Sequence, residues 1–301
     1  MLQNSHFTPN LQLKIRNWTV TGELRIDPHK SPGDEDYAFI YYSNLGHIIL
    51  KEIFNIHAHQ PLIVLTQYKV MPDHIHLLIR VMDRIPHHIG FYMGEFMSAV
   101  THRWRIFNGA NPSDAKVFEE NYTDRPIYVN ARYKVAKKYI KDNPYRLAMR
   151  RIFPDFFRRV RNLTIDGKPF QAYGNLFHFR NPFMSQVIVH RCNTAIQNEE
   201  LFAHWREEIR KDGVLVSPFI APLEKMMRKE AAENGGRIIH IQKDPFGERF
   251  KPAGADFELC CKGRLLIVAP MVSMWKEISQ TICREMNQVA AQIVNGNFSV
   301  G

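Results

Sequence analysis

The sequence predicts two folded halves. The first is α+β, an antiparallel sheet with helices on one face; the second is α/β, built on a parallel sheet. Three observations predict this. Up to about residue 150 the apolar pattern alternates between period two and period 3.6 in the order β-α-β-β-α-β-α. From about Ser185 onward, short apolar strands alternate with amphipathic helices, the rhythm of a parallel sheet. The chain has 301 residues, enough for two cores. The expected division is 1–155 and 171–301, with 156–170 as a linker.

Each element follows from local pattern. Asn17–Ile26 alternates and reads as a strand. After the polar loop HKSPGDED, the stretch from Tyr37 to His59 has apolar residues at helical spacing and reads as one helix, despite Gly46 inside it. PLIVLTQYKV and HIHLLIRV are strands joined by Met71-Pro72-Asp73. HHIGFYMGEFMSAVTHRWRIF is a second amphipathic helix, and KVFEENYTDRPIYV a strand-and-loop passage. ARYKVAKKYIKDN is a third helix, ended by Pro144 because the residue before proline is biased out of helical geometry. In the second half SQVIVHR, VLVSPFI, RIIHIQ and RLLIVAP read as strands. Helices follow at EELFAHWREEIRKDG, LEKMMRKEAAENGG and WKEISQTICREMNQVAAQIV.

Composition narrows the class. The chain is 45% hydrophobic and 23% charged, ordinary for a soluble protein. No stretch approaches the roughly 18 apolar residues of a membrane span, and the N-terminal segment has no apolar run resembling a signal peptide. None of the four cysteines, Cys192, Cys260, Cys261 and Cys283, forms a CxxC pair, which argues against a zinc knuckle or a disulfide framework. The simplest expectation is a cytoplasmic protein with reduced thiols. The net charge of +10 points to a polyanionic partner. Between Asn121 and Arg161 stand twelve Lys or Arg against Asp124, Asp142 and Asp155, interleaved with tyrosine and phenylalanine. Basic side chains neutralise phosphates and exposed aromatics stack unpaired bases. The plainer reading is a solvated helical face.

The segment TQYKVMPDHIHLLIRV places His74 and His76 two apart in a strand, so both imidazoles leave the same face. Such a pair suits one divalent cation. The alternative is one satisfied core histidine and one at the sheet surface.

VMPDHIHLLI resembles the metal-binding strand of the HUH single-tyrosine transposases, in particular the REP-associated tyrosine transposases. YIKDNP, Tyr139 to Pro144, resembles the family's tyrosine-helix signature, Tyr-Ile-x-x-Asn-Pro. The two occur in the family's order, within a resemblance covering roughly Asn17 to Arg150. The resemblance implies a ferredoxin-like sheet with the histidines on a central strand and the tyrosine helix packed near it. It implies Tyr139 as nucleophile, and Mg2+ or Mn2+ held by His74, His76 and the carboxamide of Asn143. It also implies action on single-stranded or hairpin DNA through a 5′-phosphotyrosine. Residue chemistry agrees with those roles: an oxygen nucleophile must reach a phosphorus while a cation offsets the developing charge. Other readings stand beside each residue. Asn143 can be a helix C-cap, Tyr139 a core aromatic beside Val135 and Ile140, and Tyr133 and Tyr145 compete as nucleophile. Arg132, Lys137, Lys138, Arg146, Arg150, Arg151, Arg158 and Arg159 are the expected DNA contacts.

GVLVSPFIAPLEKMMRKEAAENGGRIIHIQ faintly resembles the Rossmann-like domain of the DNA-processing protein A and lysine-decarboxylase-like families. Ser217-Pro218-Phe219 stands where glycines would let the backbone approach a phosphate. Arg249 and Lys251, beside aromatics in the loop KDPFGERFKPAGADF, are candidate contacts for DNA or a small ligand. The plainer expectation is an accessory domain that enlarges a DNA-binding surface or mediates homodimerisation. Three functions therefore stand: a metal-dependent DNA nicking and rejoining enzyme, a domesticated hairpin-DNA binder that does not cleave, and a regulator with a ligand-sensing C-terminal domain. The expected setting is the nucleoid, with no membrane partner.

Overall fold

The computed structural model describes residues 8–16, 20–109, 116–128, 130–273 and 280–301. The chain divides into two compact units, Met1–Ala148 and Met149–Gly301.

The N-terminal unit contains β1 (Thr8–Ile15), β2 (Gly22–Ile26), β3 (Ala38–Tyr42), α1 (Asn44–His59), β4 (Ile63–Val70), β5 (His74–Val81), α2 (Ile89–Asn108), β6 (Phe118–Ile127) and α3 (Asn130–Lys141). α4 (Asn143–Ile152) runs across the boundary between the units. Four strands form an antiparallel sheet in the order β4-β5-β1-β6, and β2 and β3 pair as a separate hairpin.

Alternation sorts the sheet into two faces. Leu11, Leu13 and Ile15 of β1 and Ile75, Leu77 and Ile79 of β5 point to one side, and all are buried. There they meet Leu45, Ile49, Ile53 and Ile56 of α1, and Tyr92, Met93, Phe96 and Val100 of α2. Those residues recur at three and four, so each helix presents one apolar stripe. Burying each such side chain contributes roughly 1.5–3 kcal/mol. The opposite face carries Gln12 in register with His76, Lys14 with His74, and Lys69 with His76. α3 packs on that polar face against β4, β5 and β6. The expectation of helices on one face therefore holds for α1 and α2 and fails for α3.

Three other expectations in this unit are corrected. The strand expected first, Asn17–Ile26, is preceded by β1, which lies between β5 and β6 in the sheet. The stretch from Tyr37 to His59 is not one helix: β3 ends at Tyr42, and Ser43 caps α1 by accepting from the Gly46 amide at 3.2 Å. Gly46 is needed at this point because a Cβ there would lie 2.1 Å from the carbonyl oxygen of Thr21. Pro144 does not end the helical chain either. α3 stops at Lys141, and Pro144 sits in the first turn of α4, where its missing N–H costs nothing. Of the strand expected over Asn17–Ile26, residues 17–19 lie outside the described residues.

The C-terminal unit continues with a 3₁₀ turn (Pro154–Phe157), β7 (Arg158–Ile165), β8 (Lys168–Gly174), a second 3₁₀ turn (Leu176–Arg180), β9 (Met184–Gln186), α5 (Ala195–Arg210), β10 (Val214–Ser217), α6 (Pro222–Glu233), β11 (Arg237–Ile241), α7 (Ala255–Cys261), β12 (Leu265–Pro270), α8 (Gln280–Val294) and β13 (Phe298–Val300). Its sheet has the order β13-β7-β8-β12-β11-β10-β9. β9 to β12 are parallel, as the alternating rhythm predicts; β8, β7 and β13 extend the sheet antiparallel. Residues 156–170 are thus not a linker. They are mostly β7 and the start of β8, turned at Asp166 and Gly167, both with positive φ. The part of the last helix expected over residues 275–279 lies outside the described residues.

Candidate active site

Met71-Pro72-Asp73 turns β4 into β5, and three hydrogen bonds pin that turn. The Met71 amide donates to His74 O at 2.8 Å, Thr21 Oγ1 donates to Met71 O at 2.6 Å, and the Ile15 amide donates to Asp73 O at 2.9 Å. The histidines begin the strand directly after it. Their ring centroids lie 4.8 Å apart, edge to face. His74 Nδ1 lies 2.7 Å from Asp73 Oδ1, so in the neutral tautomer it donates there and leaves the Nε2 lone pair free. His76 is 5% exposed, and its Nδ1 has no hydrogen-bond partner. Burial drives its pKa down to about 3; the His74 charge adds to the shift and Asp73 opposes it. The ring is therefore neutral, the form that ligates a metal.

α3 brings Tyr139 to this pair. Its ring stands edge-on to His76, with centroids 5.8 Å apart, and remains 36% exposed. The guanidinium of Arg146, on α4, lies over the same ring at 5.0 Å. Tyr145, a competing nucleophile by sequence, packs edge-on against Tyr37; Tyr133 is half-buried. Asn143 is 5% exposed and its Nδ2 is unpartnered. A carboxamide's shape leaves its oxygen and nitrogen interchangeable, and the exchange puts an acceptor at that orphaned position. Asn143 is the first residue of α4, not a C-cap.

The donor chemistry fits a divalent cation: two neutral imidazoles and an amide whose outer atom lacks a partner. Among the described residues no group of three or more His, Cys, Asp or Glu gathers, so a third protein ligand would be an amide or carbonyl oxygen. That set favours Mn2+ over Mg2+.

The basic residues divide by environment. Arg132, Lys137 and Lys138 are exposed on α3, where Lys138 also pairs with Asp142 at 2.6 Å. Arg151 and Arg158 are exposed and Arg150 is half-buried. Arg146 is buried, with its guanidinium over the Tyr139 ring. Arg159 is committed inside the C-terminal unit, donating to the carbonyls of Gly247 and Glu248 and to Gln171 Oε1. Sequence reasoning missed Lys69. It lies across from His76 and is half-buried, and burial lowers its pKa, opposed by Asp36 and reinforced by Lys141.

In the C-terminal unit the helix that follows Ser217-Pro218-Phe219 is already capped. Glu224, 2% exposed, accepts from the amides of Ile220, Ala221 and Val189 at 2.8–3.1 Å. A carboxylate thus occupies the amides that a phosphate would need at the N-terminus of α6.

No family model and no curated protein matches the chain. Among solved structures, the REP-associated tyrosine transposase bound to a REP hairpin is similar at 13% identity, over 47% of this chain and 68% of that one, with a TM-score of 0.34. A Deinococcus radiodurans R1 protein assigned as a transposase is similar at 16% identity, over 47% of this chain and 94% of its own, with a TM-score of 0.29. Among the described residues no helix is long and apolar enough to cross a membrane.

Proposed function

We propose that the N-terminal unit cleaves and rejoins single-stranded or hairpin DNA through Tyr139, in a reaction that needs a divalent cation, Mg2+ or Mn2+. One observation carries the reading: a half-exposed tyrosine stands edge-on to a neutral, buried histidine whose ring neighbours a second one, on the polar face of an otherwise apolar sheet. A core would not place two imidazoles, a lysine and a phenol on that face without use for them. The β-α-β-β-α-β order of β1, α1, β4, β5, α2 and β6, with strand order β4-β5-β1-β6, supports the ferredoxin-like frame that the resemblance implies.

Tyr139 Oη attacks the scissile phosphorus. The P–O3′ bond breaks, the 3′-oxygen leaves with a proton as a free hydroxyl, and the phenol's own proton passes to solvent or a nearby base. A 5′-phosphotyrosine remains. Attack by another 3′-hydroxyl reverses the step and rejoins the strand without an external energy source. His74, His76 and Asn143 would hold the cation, which when bound polarises a non-bridging phosphate oxygen. Asp73 orients His74. The guanidinium of Arg146 over the phenol ring holds that ring in place by a cation–π contact.

Labelled hairpin DNA incubated with the protein and Mn2+ tests this. The expected outcome is a covalent adduct that survives denaturation and is lost in the His74→Ala/His76→Ala double variant, with hairpin affinity largely retained. Undiminished cleavage by the double variant in chelator would refute the metal. Tight hairpin binding with no adduct in any metal would favour the non-cleaving binder.

A further inference from the structure

The C-terminal unit carries a second cleft that the proposed chemistry does not use. It encloses about 530 Å3 and lies at the amino ends of β10 and β11, opposite the edge at which Glu224 seals α6. Two copies of one device build its wall. In Asn175-Leu176-Phe177, the side-chain oxygen of Asn175 accepts from the Phe177 amide at 3.0 Å. In Asn181-Pro182-Phe183, Asn181 accepts from the Phe183 amide at 2.8 Å. Each asparagine is itself tied down by its Nδ2, Asn175 to Gly263 O at 2.7 Å and Asn181 to Asp212 O at 2.9 Å. The turns hold Phe177 56% exposed and Phe183 62% exposed at the mouth of one cleft. Three cations, Arg180, Lys211 and Arg237, line the same cleft with Asp212 as the one acid of its lining, and Lys211 also pairs with Glu207 at 3.4 Å. Asp212 is engaged by Arg237 at 3.2 Å, and the Arg180 guanidinium lies 5.6 Å from the Phe177 ring centroid.

We infer that this cleft binds an unpaired stretch of a nucleic-acid strand, with bases stacked on Phe177 and Phe183 and phosphates met by Arg180 and Lys211. Rigid exposed rings beside excess positive charge suit ligands that are flat and apolar on one part and anionic on another. An acidic peptide satisfies the charge but not the rings. Ring stacking takes any unpaired base and a duplex offers none, so binding should tolerate sequence and discriminate against duplex. The inference stands independently of cleavage by Tyr139.

The test uses the full chain and eight-nucleotide oligo-dT and oligo-U strands carrying a photoreactive base, with crosslinked peptides mapped by mass spectrometry. Crosslinks at Phe177 or Phe183 are expected. Their yield should fall roughly tenfold or more in Phe177→Ala/Phe183→Ala and be kept in Phe177→Tyr/Phe183→Tyr. Both rings are exposed, so the melting temperature should not move. Equal yields from the two strands identify any single strand as the ligand, and a preference for one identifies DNA or RNA. Absence of crosslinks between residues 175 and 183, undiminished yield in the alanine variant, or equal competition by poly-glutamate or by duplex would overturn the inference. Adducts at Tyr139 report on the other site and leave this outcome unaffected.

Discussion

Arg159 separates a structural arginine from a phosphate contact. By sequence it belongs to a basic track; in the fold its guanidinium bonds three acceptors, Gly247 O at 3.2 Å, Glu248 O at 2.9 Å and Gln171 Oε1 at 3.2 Å. It also faces the Phe246 ring at 5.6 Å. Truncation to alanine affects these partners unequally. The two loop carbonyls are near solvent and rehydrate. Gln171 is 3% exposed, so its oxygen loses a donor that water cannot replace. An orphaned buried acceptor costs roughly 1–3 kcal/mol, and the lost charged hydrogen bonds and ring contact bring the total to about 2–4 kcal/mol. For a unit of this size that is a fall of roughly 4–16 °C in melting temperature. Calorimetry, with hydrogen exchange over β7 and β8 to assign the transition, reads it. Arg159→Lys keeps the charge but not the planar fork, and should lose most of the same stability. Neither variant should alter the salt dependence of hairpin binding. If Arg159→Ala flattens the log-log salt slope by about one unit and leaves the melting temperature unmoved, the residue contacts phosphate and the reasoning fails.

Three further outcomes follow from named contacts. Burial, with the Arg237 charge adding and a hydrogen bond to the Arg264 backbone opposing, holds His178 down to about 4. Because this lies below the ordinary value near 6.5, the unfolded chain takes the proton first: stability is full above pH 6.5 and falls by about 3 kcal/mol as pH drops to 4. Urea midpoints that stay level from pH 7 to 5 would contradict this. Gly46→Ala should destabilise the N-terminal unit by about 2–3 kcal/mol despite alanine's better helix propensity, since the new Cβ meets Thr21 O at 2.1 Å; a raised melting temperature would refute it. Asp73→Asn should weaken Mn2+ binding roughly tenfold by loosening His74, with hairpin affinity unchanged; calorimetric titration with Mn2+ measures it, and an unaltered affinity would remove Asp73 from the site.

Much of the candidate site's grouping was legible because its signals are short. Two histidines two apart need only a strand to share a face, and Met71-Pro72-Asp73 marks where that strand starts. The roles of single arginines were not legible, because charge in a sequence says nothing of burial. Arg146 and Arg159 look like their neighbours in the string, yet one is packed on Tyr139 and the other on a loop. Some missed elements did carry signals. Asp166-Gly167 between apolar runs is the dipeptide of a two-residue hairpin turn with both φ positive, and it joins β7 to β8 inside the supposed linker. Leu11, Leu13 and Ile15 alternate with Asn10, Gln12 and Lys14. Ser43 before Asn44-Leu45 is an N-cap that splits β3 from α1. What no local pattern held was the placement of α3 on the opposite face from α1 and α2. That depends on the polar residues of three strands meeting one helix, a long-range fact.

Tyr139 as nucleophile is the proposal on which the cleavage chemistry depends. Hairpin DNA reacted in Mn2+, followed by nuclease and protease digestion and mass spectrometry, locates the modified residue directly. The expected result is a nucleotide on Tyr139, absent in Tyr139→Phe while that variant binds the hairpin within a few-fold of the parent. A nucleotide on Tyr133 or Tyr145, or an adduct that persists in Tyr139→Phe, would contradict it.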